Sequence, residues 1–252
     1  TAIISDKASI ADDVEIGPYS LIGDDVRIAS GTRIDSHVVV NGPTTIGRDN
    51  HIYQFASVGD DPQDKKYANE PTRLVIGDRN TIREFCTLSR GTTQDRGETR
   101  IGDDNWIMAY VHIAHDCVVG DKTIMANNTT LAGHVHVGDW VICGGFSGIH
   151  QFCKIGAHAF LGMYCGVNRD VPAYTMVSGQ PAVARGINSE GLKRRDFSAE
   201  QIRNIKNAYR ITFRQGKRKE EAIEEIAELV SAQPELAPFL ESLRSSDRGL
   251  AR

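Results

Sequence analysis

The feature that most constrains the fold is an aliphatic residue that recurs every six positions. The first uninterrupted run comprises Ile4, Ile10, Ile16, Ile22, Ile28, Ile34, Val40, Ile46, Ile52 and Val58. The register returns at Ile76, Ile82 and Leu88, and a later run extends from Ile101 to Val167. A small or β-branched residue mostly stands two positions earlier, and a glycine often follows. This period does not match the 3.6-residue repeat of a helix and indicates short strands separated by corners.

Alternate side chains of a strand point to opposite faces, so the periodic aliphatic residue and the residue two before it would both point inward. Glycine allows the backbone to turn at each corner. Three repeats make a coil of eighteen residues, and positions eighteen apart would stack about 4.8 Å from each other. The sequence therefore predicts a mainly β protein, a parallel β-helix whose coils bury a continuous aliphatic prism. Periodicity alone leaves the hand of the coil open.

Two interruptions of the repeat, at about 59–75 and 89–100, contain prolines or glycines and predict external loops. The repeat ends near Asp170, and a helical period follows it. We therefore predict a β-helix over 1–187 and a helical domain over 188–252.

The first long predicted helix begins at Ser198, which forms a capping box with Gln201, and ends at Gly216. A second helix is expected from about 219 to 233 and a third from Pro234.

Composition narrows the class of protein. The net charge of -4 argues against nucleic acid as a partner. Five cysteines without a C-x-x-C pair indicate neither disulfides nor a zinc ribbon, and no apolar run is long enough to span a membrane. We expect a cytoplasmic protein. The segment 193–219 carries ten Lys or Arg against Asp196 and Glu200, which fits either an acidic partner or an ordinary solvated helix face.

A polar cluster is predicted at one corner of three successive coils. It consists of His112, His115, Asp116, His134 and His150. In the phase of the repeat, none of these histidines points into the prism. Two chemistries fit them. His115 is a general base held by a carboxylate, or three histidines hold a zinc ion with an open position, although no metal-finger spacing is present.

Several segments of the sequence resemble one enzyme family. They are His112-Ile-Ala-His-Asp-Cys117, Ala126-Asn-Asn, Leu131-Ala-Gly-His134, Gly144-Gly145, His150-Gln-Phe-Cys153, Asp170-Val-Pro172, Asn188-Ser-Glu-Gly-Leu-Lys-Arg-Arg195 and Arg248-Gly249. Across essentially the whole chain, the sequence is similar to the UDP-N-acetylglucosamine O-acyltransferases of lipid A biosynthesis. The resemblance implies a left-handed β-helix and a homotrimer with active sites between subunits.

The resemblance also implies a reaction, the transfer of a 3-hydroxyacyl group from acyl carrier protein to the 3-hydroxyl of UDP-N-acetylglucosamine. His115 matches the general base of the family, Asp116 its orienting partner, and Gly133 the glycine whose N–H stabilises the oxyanion. The hydroxyl attacks the thioester directly, so no covalent enzyme intermediate is expected. No metal or cofactor is expected on the enzyme itself, because phosphopantetheine arrives on acyl carrier protein.

Substrate contacts follow from the same resemblance. The positions that match sugar and phosphate contacts are Asp64, Lys66, His112, His134, His150 and Gln151. Those that match contacts to the nucleotide end are Asn188, Glu190 and Arg194. Without the resemblance, Asp64 and Lys66 would be interpreted as a solvated loop pair. The chain departs from the family at Ser89, where a histidine is common, so one minor contact is expected to be missing.

Two features concern the acyl donor. Acyl carrier proteins are acidic, and we expect them to dock on a basic surface formed by Lys193, Arg194, Arg195, Arg203, Lys206 and Arg210. In the family, the residue at the position of Met163 limits acyl length, so methionine there implies short donors. The alternative is that Met163 only fills a gap between subunits.

Two other functions are compatible with the residues alone. One is a zinc-dependent hydratase of the carbonic anhydrase type, which bound metal would identify. The other is a solenoid that only binds partners, which would be excluded if changing one histidine abolished an activity.

Overall fold

The chain folds into a stack of short strands followed by helices, and the computed structural model describes all 252 residues. The strands are β1 (Ile3–Ile4), β2 (Ser9–Ile10), β3 (Glu15–Ile16), β4 (Leu21–Ile22), β5 (Val26–Ile28), β6 (Arg33–Ile34), β7 (Val39–Val40), β8 (Thr44–Ile46), β9 (His51–Ile52), β10 (Ser57–Asp60), β11 (Arg73–Ile76), β12 (Thr81–Ile82), β13 (Thr87–Ser89), β14 (Glu98–Ile101), β15 (Trp106–Ile107), β16 (His112–Ile113), β17 (Val118–Val119), β18 (Ile124–Met125), β19 (Thr130–Leu131), β20 (His136–Val137), β21 (Ile142–Cys143), β22 (Gly148–Ile149), β23 (Lys154–Ile155), β24 (Phe160–Leu161), β25 (Gly166–Val167), β26 (Thr175–Ser178) and β27 (Val183–Ile187). The helices are α1 (Ser189–Lys193), α2 (Ala199–Phe213), α3 (Lys219–Val230) and α4 (Ala237–Arg244), with a 3₁₀ turn at Pro234–Leu236.

From β1 to β25, every third strand belongs to the same sheet, so the stack has three faces. The first face runs from β1 to β25, the second from β2 to β23, and the third from β3 to β24 and then β26 and β27. All pairings are parallel except the last, between β26 and β27. The register is the one that the repeat predicts, since Ile113 pairs with both Leu88 and Leu131. The predicted fold, a left-handed parallel β-helix followed by a helical region, is confirmed.

The periodic aliphatic residues fill the prism. They belong to one cluster of 38 buried residues, which also includes all five cysteines as free thiols. The first coil is the exception, because nothing packs below it and Ile4 is 45% exposed. The close-packed core therefore fixes the position of the wall from within.

The two interruptions form loops, which we call the first loop (61–72) and the second loop (90–97). Each leaves the prism after a first-face strand and returns at a second-face strand. Both therefore leave from the corner between these two faces, which also carries the predicted histidine cluster.

The helices pack through a second apolar cluster of 13 buried residues. The predicted capping box is present: Ser198 Oγ accepts from Gln201 N at 3.1 Å, and the Gln201 side chain accepts from Ser198 N at 2.9 Å. The short helix α1 was not predicted. The division at 187/188 stays a prediction, because Tyr174 packs with the helices whereas Ala251 returns to the prism core. None of the helices combines the length and apolar character needed to cross a bilayer.

Candidate functional site

His115 and Asp116 form a hydrogen-bonded pair at the corner that follows β16. Nδ1 of His115 lies 2.8 Å from Oδ2 of Asp116, and the Asp116 side chain is fully buried. An ionised carboxylate only accepts, so Nδ1 carries the proton and Nε2 keeps a free lone pair. Asp116 has a left-handed φ of 59°, a conformation that aspartate tolerates better than most residues. The pair therefore presents an oriented imidazole that can take a proton.

Thr92 of the second loop holds the other side of the Asp116 carboxylate. Its N–H donates to Oδ1 at 2.9 Å, and its hydroxyl donates to Oδ2 at 2.7 Å. Burial by itself raises the pKa of Asp116, but the hydrogen bonds from His115 and Thr92 outweigh burial and hold that pKa below its usual value. Asp116 therefore stays ionised at neutral pH.

Gly133 stacks directly on the His115 ring, one coil further along. A Cβ atom at Gly133 would lie 2.5 Å from Cε1 and 2.6 Å from Nε2 of His115, so only glycine fits against the imidazole. The Gly133 N–H donates no hydrogen bond within the chain, which leaves it free for a ligand. The next residue continues the stack, since His134 N donates to His115 O at 3.0 Å.

His134 sits between two carboxylates. Its Nδ1 lies 3.0 Å from Oδ2 of Asp95 in the second loop, and its Nε2 lies 3.8 Å from Oδ2 of Asp116. The ring meets His115 edge-on, with centroids 5.1 Å apart and planes at 89°. On its other side it stacks on Phe152 at 4.4 Å.

His112 lies on β16, and His150 directly follows β22 of the same face. Nδ1 of His112 lies 2.7 Å from Thr87 Oγ1, and burial, together with the nearby His115, lowers the pKa of His112. His150 is exposed, and its Nδ1 lies 3.2 Å from the Gln151 carbonyl oxygen. The expected shared corner is therefore present, and within it the rings of His115 and His134 pack against each other.

Asp64 and Lys66 lie in the first loop and are linked to the second loop. The Gln94 amide donates to Asp64 Oδ2 at 3.4 Å, and Lys66 N donates to Asp64 Oδ1 at 3.0 Å. The Lys66 ammonium forms no ion pair, so it is available to an anion.

A buried guanidinium, Arg90, fixes both loops to the prism. It donates to the carbonyls of Gly42 at 3.0 Å and Gly59 at 2.7 Å. It also contacts the Tyr67 hydroxyl at 2.9 Å and forms an ion pair with Asp61. The sequence reasoning did not single out Arg90 or Thr92 as site residues, although both belong to the Ser-Arg-Gly-Thr segment that begins at Ser89, which is buried.

The three predicted nucleotide contacts lie in α1 or at its two ends, away from the histidine cluster. Asn188 caps this helix: its Oδ1 accepts from Gly191 N at 3.1 Å, and its Nδ2 donates to the His158 carbonyl at 3.0 Å. Glu190 pairs with Lys193 at 2.7 Å, and Arg194 is exposed. His158 marks the corner between the second and third faces. Within one chain, these groups and His115 therefore lie on different edges.

The predicted basic surface divides into two parts. Three of its cations are exposed on one side of α2: Arg203, Lys206 and Arg210. Arg195 instead packs on the prism, where it donates to the Trp140 carbonyl at 3.0 Å and to Nδ1 of His158 at 3.2 Å. Burial and the Arg195 charge lower the pKa of His158 to about 4, so this neutral ring accepts the bond.

Met163 lies at the corner between the third and first faces. Its side chain is 67% exposed, beside the stacked rings of Phe146 and Tyr164, whose centroids are 5.1 Å apart. Met163 and His115 of one chain are therefore at opposite edges of the first face.

One cluster has atoms of the right kind for a metal ion. His115, Asp116 and His134 offer ligand atoms within 4.8 Å of one another. Two ligands of a tetrahedral zinc ion stand about 3.3 Å apart, whereas His115 Nδ1 and Asp116 Oδ2 are 2.8 Å apart and share a proton. A zinc ion bound through these two atoms would have to break this hydrogen bond, whereas a general base that acts through Nε2 of His115 leaves it intact.

Comparisons with known proteins agree with this fold. Residues 98–133 match the family model described as "Bacterial transferase hexapeptide (six repeats)". Residues 170–251 match the model "Udp N-acetylglucosamine O-acyltransferase; Domain 2".

Full-length relatives carry the same description. The chain is 57% identical over 251 residues to the acyl-[acyl-carrier-protein]–UDP-N-acetylglucosamine O-acyltransferase of Stutzerimonas stutzeri (strain A1501), covering 100% of this chain and 97% of that protein. The crystal structure of the UDP-N-acetylglucosamine O-acyltransferase of Moraxella catarrhalis RH4 superposes with a TM-score of 0.99 at 50% identity, covering 100% and 98% of the two chains. The Arabidopsis UDP-N-acetylglucosamine acyltransferase superposes at 0.80 with 34% identity, covering 99% and 100%.

Proposed function

This chain belongs to the UDP-N-acetylglucosamine O-acyltransferase family, and we propose that it catalyses the first acyl transfer of lipid A biosynthesis. In this reaction a 3-hydroxyacyl group passes from acyl carrier protein to the 3-hydroxyl of UDP-N-acetylglucosamine. The observation that carries the proposal is the His115–Asp116 pair, whose free Nε2 faces outward from the wall beside the Gly133 amide.

The chemistry follows from this pair. His115 Nε2 takes the proton of the sugar hydroxyl while its oxygen attacks the thioester carbonyl, and Asp116 stabilises the imidazolium that forms. The carbonyl oxygen becomes an oxyanion, which the free N–H of Gly133 can bind. When the C–S bond breaks, the phosphopantetheine sulfur leaves as a thiolate and receives from His115 the proton that came from the sugar hydroxyl. The acyl group passes directly from sulfur to the sugar oxygen without a covalent enzyme intermediate, and the enzyme itself needs no cofactor.

The nucleotide contacts imply an assembly. Asn188, Glu190 and Arg194 lie on a different edge from His115, so one chain does not gather the whole site. We propose a homotrimer in which α1 of one subunit approaches the histidine edge of the next. Lys66, with an unpaired ammonium, and the exposed Arg194 supply the cations that a pyrophosphate requires.

The acyl donor meets two further elements. The exposed cations of α2 form a docking surface for the acidic carrier protein, and Arg195 contributes mainly to packing. Met163, at the opposite edge of the first face, limits the acyl chain from a neighbouring subunit.

A direct assay tests the proposal. Purified enzyme, a 3-hydroxyacyl thioester of acyl carrier protein and UDP-N-acetylglucosamine should yield the 3-O-acylated sugar nucleotide and free carrier thiol in equal amounts. Light scattering on the same sample should give the mass of a trimer. Thiol release without the acylated sugar nucleotide, or a monomeric active enzyme, would contradict the proposal.

A further inference from the structure

His134 belongs to a second carboxylate–imidazole pair, which is formed with Asp95 of the second loop. The Nδ1–Oδ2 distance is 3.0 Å, and the imidazole is only 12% exposed. Asp95 is 35% exposed, so the pair closes the outer side of the site. Neither the repeat nor the resemblance points to Asp95.

The pair determines which nitrogen of His134 carries a proton. An ionised Asp95 only accepts, so Nδ1 is the donor and Nε2 has a free lone pair. The nearest carboxylate on that side is Asp116 Oδ2 at 3.8 Å, which is too far for a hydrogen bond. Nε2 of His134 is therefore left to accept a hydrogen bond from a group outside the chain.

The direction of that acceptor is also fixed. Phe152 stacks on the His134 ring with an interplanar angle of 11°, which sets the plane of the imidazole. The ring stands edge-on to His115 at 5.1 Å. A molecule that reaches His115 therefore also meets His134.

The loop that carries Asp95 is itself held in place. Thr92 bonds to Asp116, and the Thr92 carbonyl accepts from Gly97 N at 3.0 Å, where a φ of 67° suits glycine. Asp95 thus lies in a turn that Thr92 fixes to the His115–Asp116 pair.

From this geometry we propose that Asp95 is a positioning residue. It holds His134 in the tautomer and orientation in which Nε2 accepts a hydrogen bond from a hydroxyl of the bound sugar nucleotide. The inference rests on the proposed function for the identity of that ligand. Asp95 acts only through His134 and takes no part in the transfer of the acyl group.

The first test compares substitutions at Asp95. Losing one hydrogen bond to bound substrate should raise KM for UDP-N-acetylglucosamine about tenfold in Asp95→Ala, with kcat within about threefold of wild type. Asp95→Asn should recover most of the loss, because the amide oxygen still accepts from Nδ1. Thr93→Ala, an exposed neighbour without a side-chain hydrogen bond, is the matched control. A change in kcat alone, or no recovery in Asp95→Asn, would overturn the inference.

The second test asks whether Asp95 acts through His134. In a His134→Ala background, Asp95→Ala should raise KM by less than about twofold, because residues in one network are not additive. A full tenfold increase in that background would show that Asp95 acts by another route.

A third measurement separates this inference from the proposed function. With isotope-labelled histidine, nitrogen chemical shifts identify the tautomer of His134, whose signals are recognised by their loss in His134→Ala. We expect Nδ1–H in wild type and a mixture of tautomers in Asp95→Ala, and the same tautomer in both would overturn the inference. If the enzyme acylated no sugar nucleotide, the proposed function would fail, while the tautomers would still decide the role of Asp95.

Discussion

The prism wall and the second loop contribute to the site in different ways. The wall brings His115 and Gly133 together because they occupy equivalent corners of adjacent coils, and backbone pairing fixes their spacing. The loop brings Thr92 and Asp95 to the same place through hydrogen bonds to the Asp116 carboxylate and the His134 ring. In the proposed mechanism, the wall therefore carries the reacting groups, and the loop orients them. Changes to the wall should remove the chemistry, and changes to the loop should weaken it.

The largest expected effect follows from removing the base. His115→Ala should lower turnover about 10²- to 10⁴-fold, the usual contribution of general base catalysis. Fold and assembly should persist, because the side chain lies outside the prism core. Turnover and thermal unfolding measured together check both points.

A third carboxylate–imidazole pair, formed by His51 and Asp35, provides the control for that experiment. His51 bonds to Asp35 at 3.1 Å on the third face, far from the cluster. His51→Ala should retain normal turnover. Near-normal turnover in His115→Ala would show that His115 is not the general base.

The next largest effect tests whether the wall fixes the distance between Gly133 and His115. Gly133→Ala forces a methyl group against His115, with 2.5 Å to Cε1, so the imidazole must move. A displacement of about 1 Å costs about 10²-fold in rate. Gly145→Ala is the control, since its Cβ would meet only an ordinary 3.4 Å contact with Asn127 O. Equal turnover in the two variants would mean that the ring has room that the structure does not show.

Substituting Arg90 tests how the two loops are held against the prism. Arg90→Ala leaves two carbonyls and Asp61 without their buried partner, and we expect a loss of about 3 kcal/mol in the free energy of unfolding. KM for UDP-N-acetylglucosamine should rise about tenfold, because each lost loop contact is worth about 1 kcal/mol. Urea unfolding and steady-state kinetics measure these effects.

Arg90→Lys tests whether the positive charge alone is sufficient or whether the several hydrogen bonds of the guanidinium are required. One ammonium cannot reproduce the fork of contacts, so this variant should fall between wild type and alanine. Arg100→Ala, an exposed arginine on the wall, should change stability by less than about 0.5 kcal/mol. If Arg90→Ala behaved like this control, the loops would be held by other contacts.

The same contrast explains which parts of the site the sequence predicted. Gly133 and His134 stand eighteen residues after His115 and Asp116, so the period placed them. Thr92 and Asp95 are separated from their partners by 24 and 39 residues. These separations cross the interruptions, where no register exists. Their contacts depend on how a loop folds back, which periodicity does not encode.

In the helical region, too, the sequence predicts local features but not contacts between distant segments. The capping box at Ser198 is local and was predicted, whereas α1 is short and was not. Arg195 was expected on an exposed docking surface together with Lys206. Its guanidinium instead lies on Trp140, with 5.0 Å to the ring centroid. A charge pattern identifies a basic helix but not which of its side chains the neighbouring coil will bind.

A smaller effect concerns the exposed cations of α2, which belong to neither wall nor loop. If acyl carrier protein docks there, its KM should rise about tenfold between low and high salt, because salt screens exposed charges. The triple variant Arg203→Ala, Lys206→Ala and Arg210→Ala should flatten that dependence while leaving KM for the sugar nucleotide unchanged. A salt dependence identical to that of wild type would place the docking surface elsewhere.

The smallest expected effect tests whether an outward side chain of the wall can measure length. Met163 is 67% exposed in a single chain. Its side chain therefore occupies space outside the prism that an acyl tail bound beside a neighbouring subunit could otherwise fill. Each methylene that finds apolar surface contributes about 0.8 kcal/mol, or about fourfold in kcat/KM. Forcing a methylene against a packed side chain costs about 1 to 3 kcal/mol. The preference should therefore reverse at the length where the tail reaches Met163.

Competition between a short and a long 3-hydroxyacyl donor measures this preference directly. Met163→Gly should shift the product ratio toward the longer donor by about fourfold for each methylene admitted. Met163→Leu should leave the ratio near that of wild type, because the two side chains have similar volumes. If methionine only fills a gap between subunits, Met163→Gly would lower stability and leave the ratio unchanged. The residue that limits acyl length would then lie at another corner, and Met163 would not set the length of the chain that the enzyme transfers.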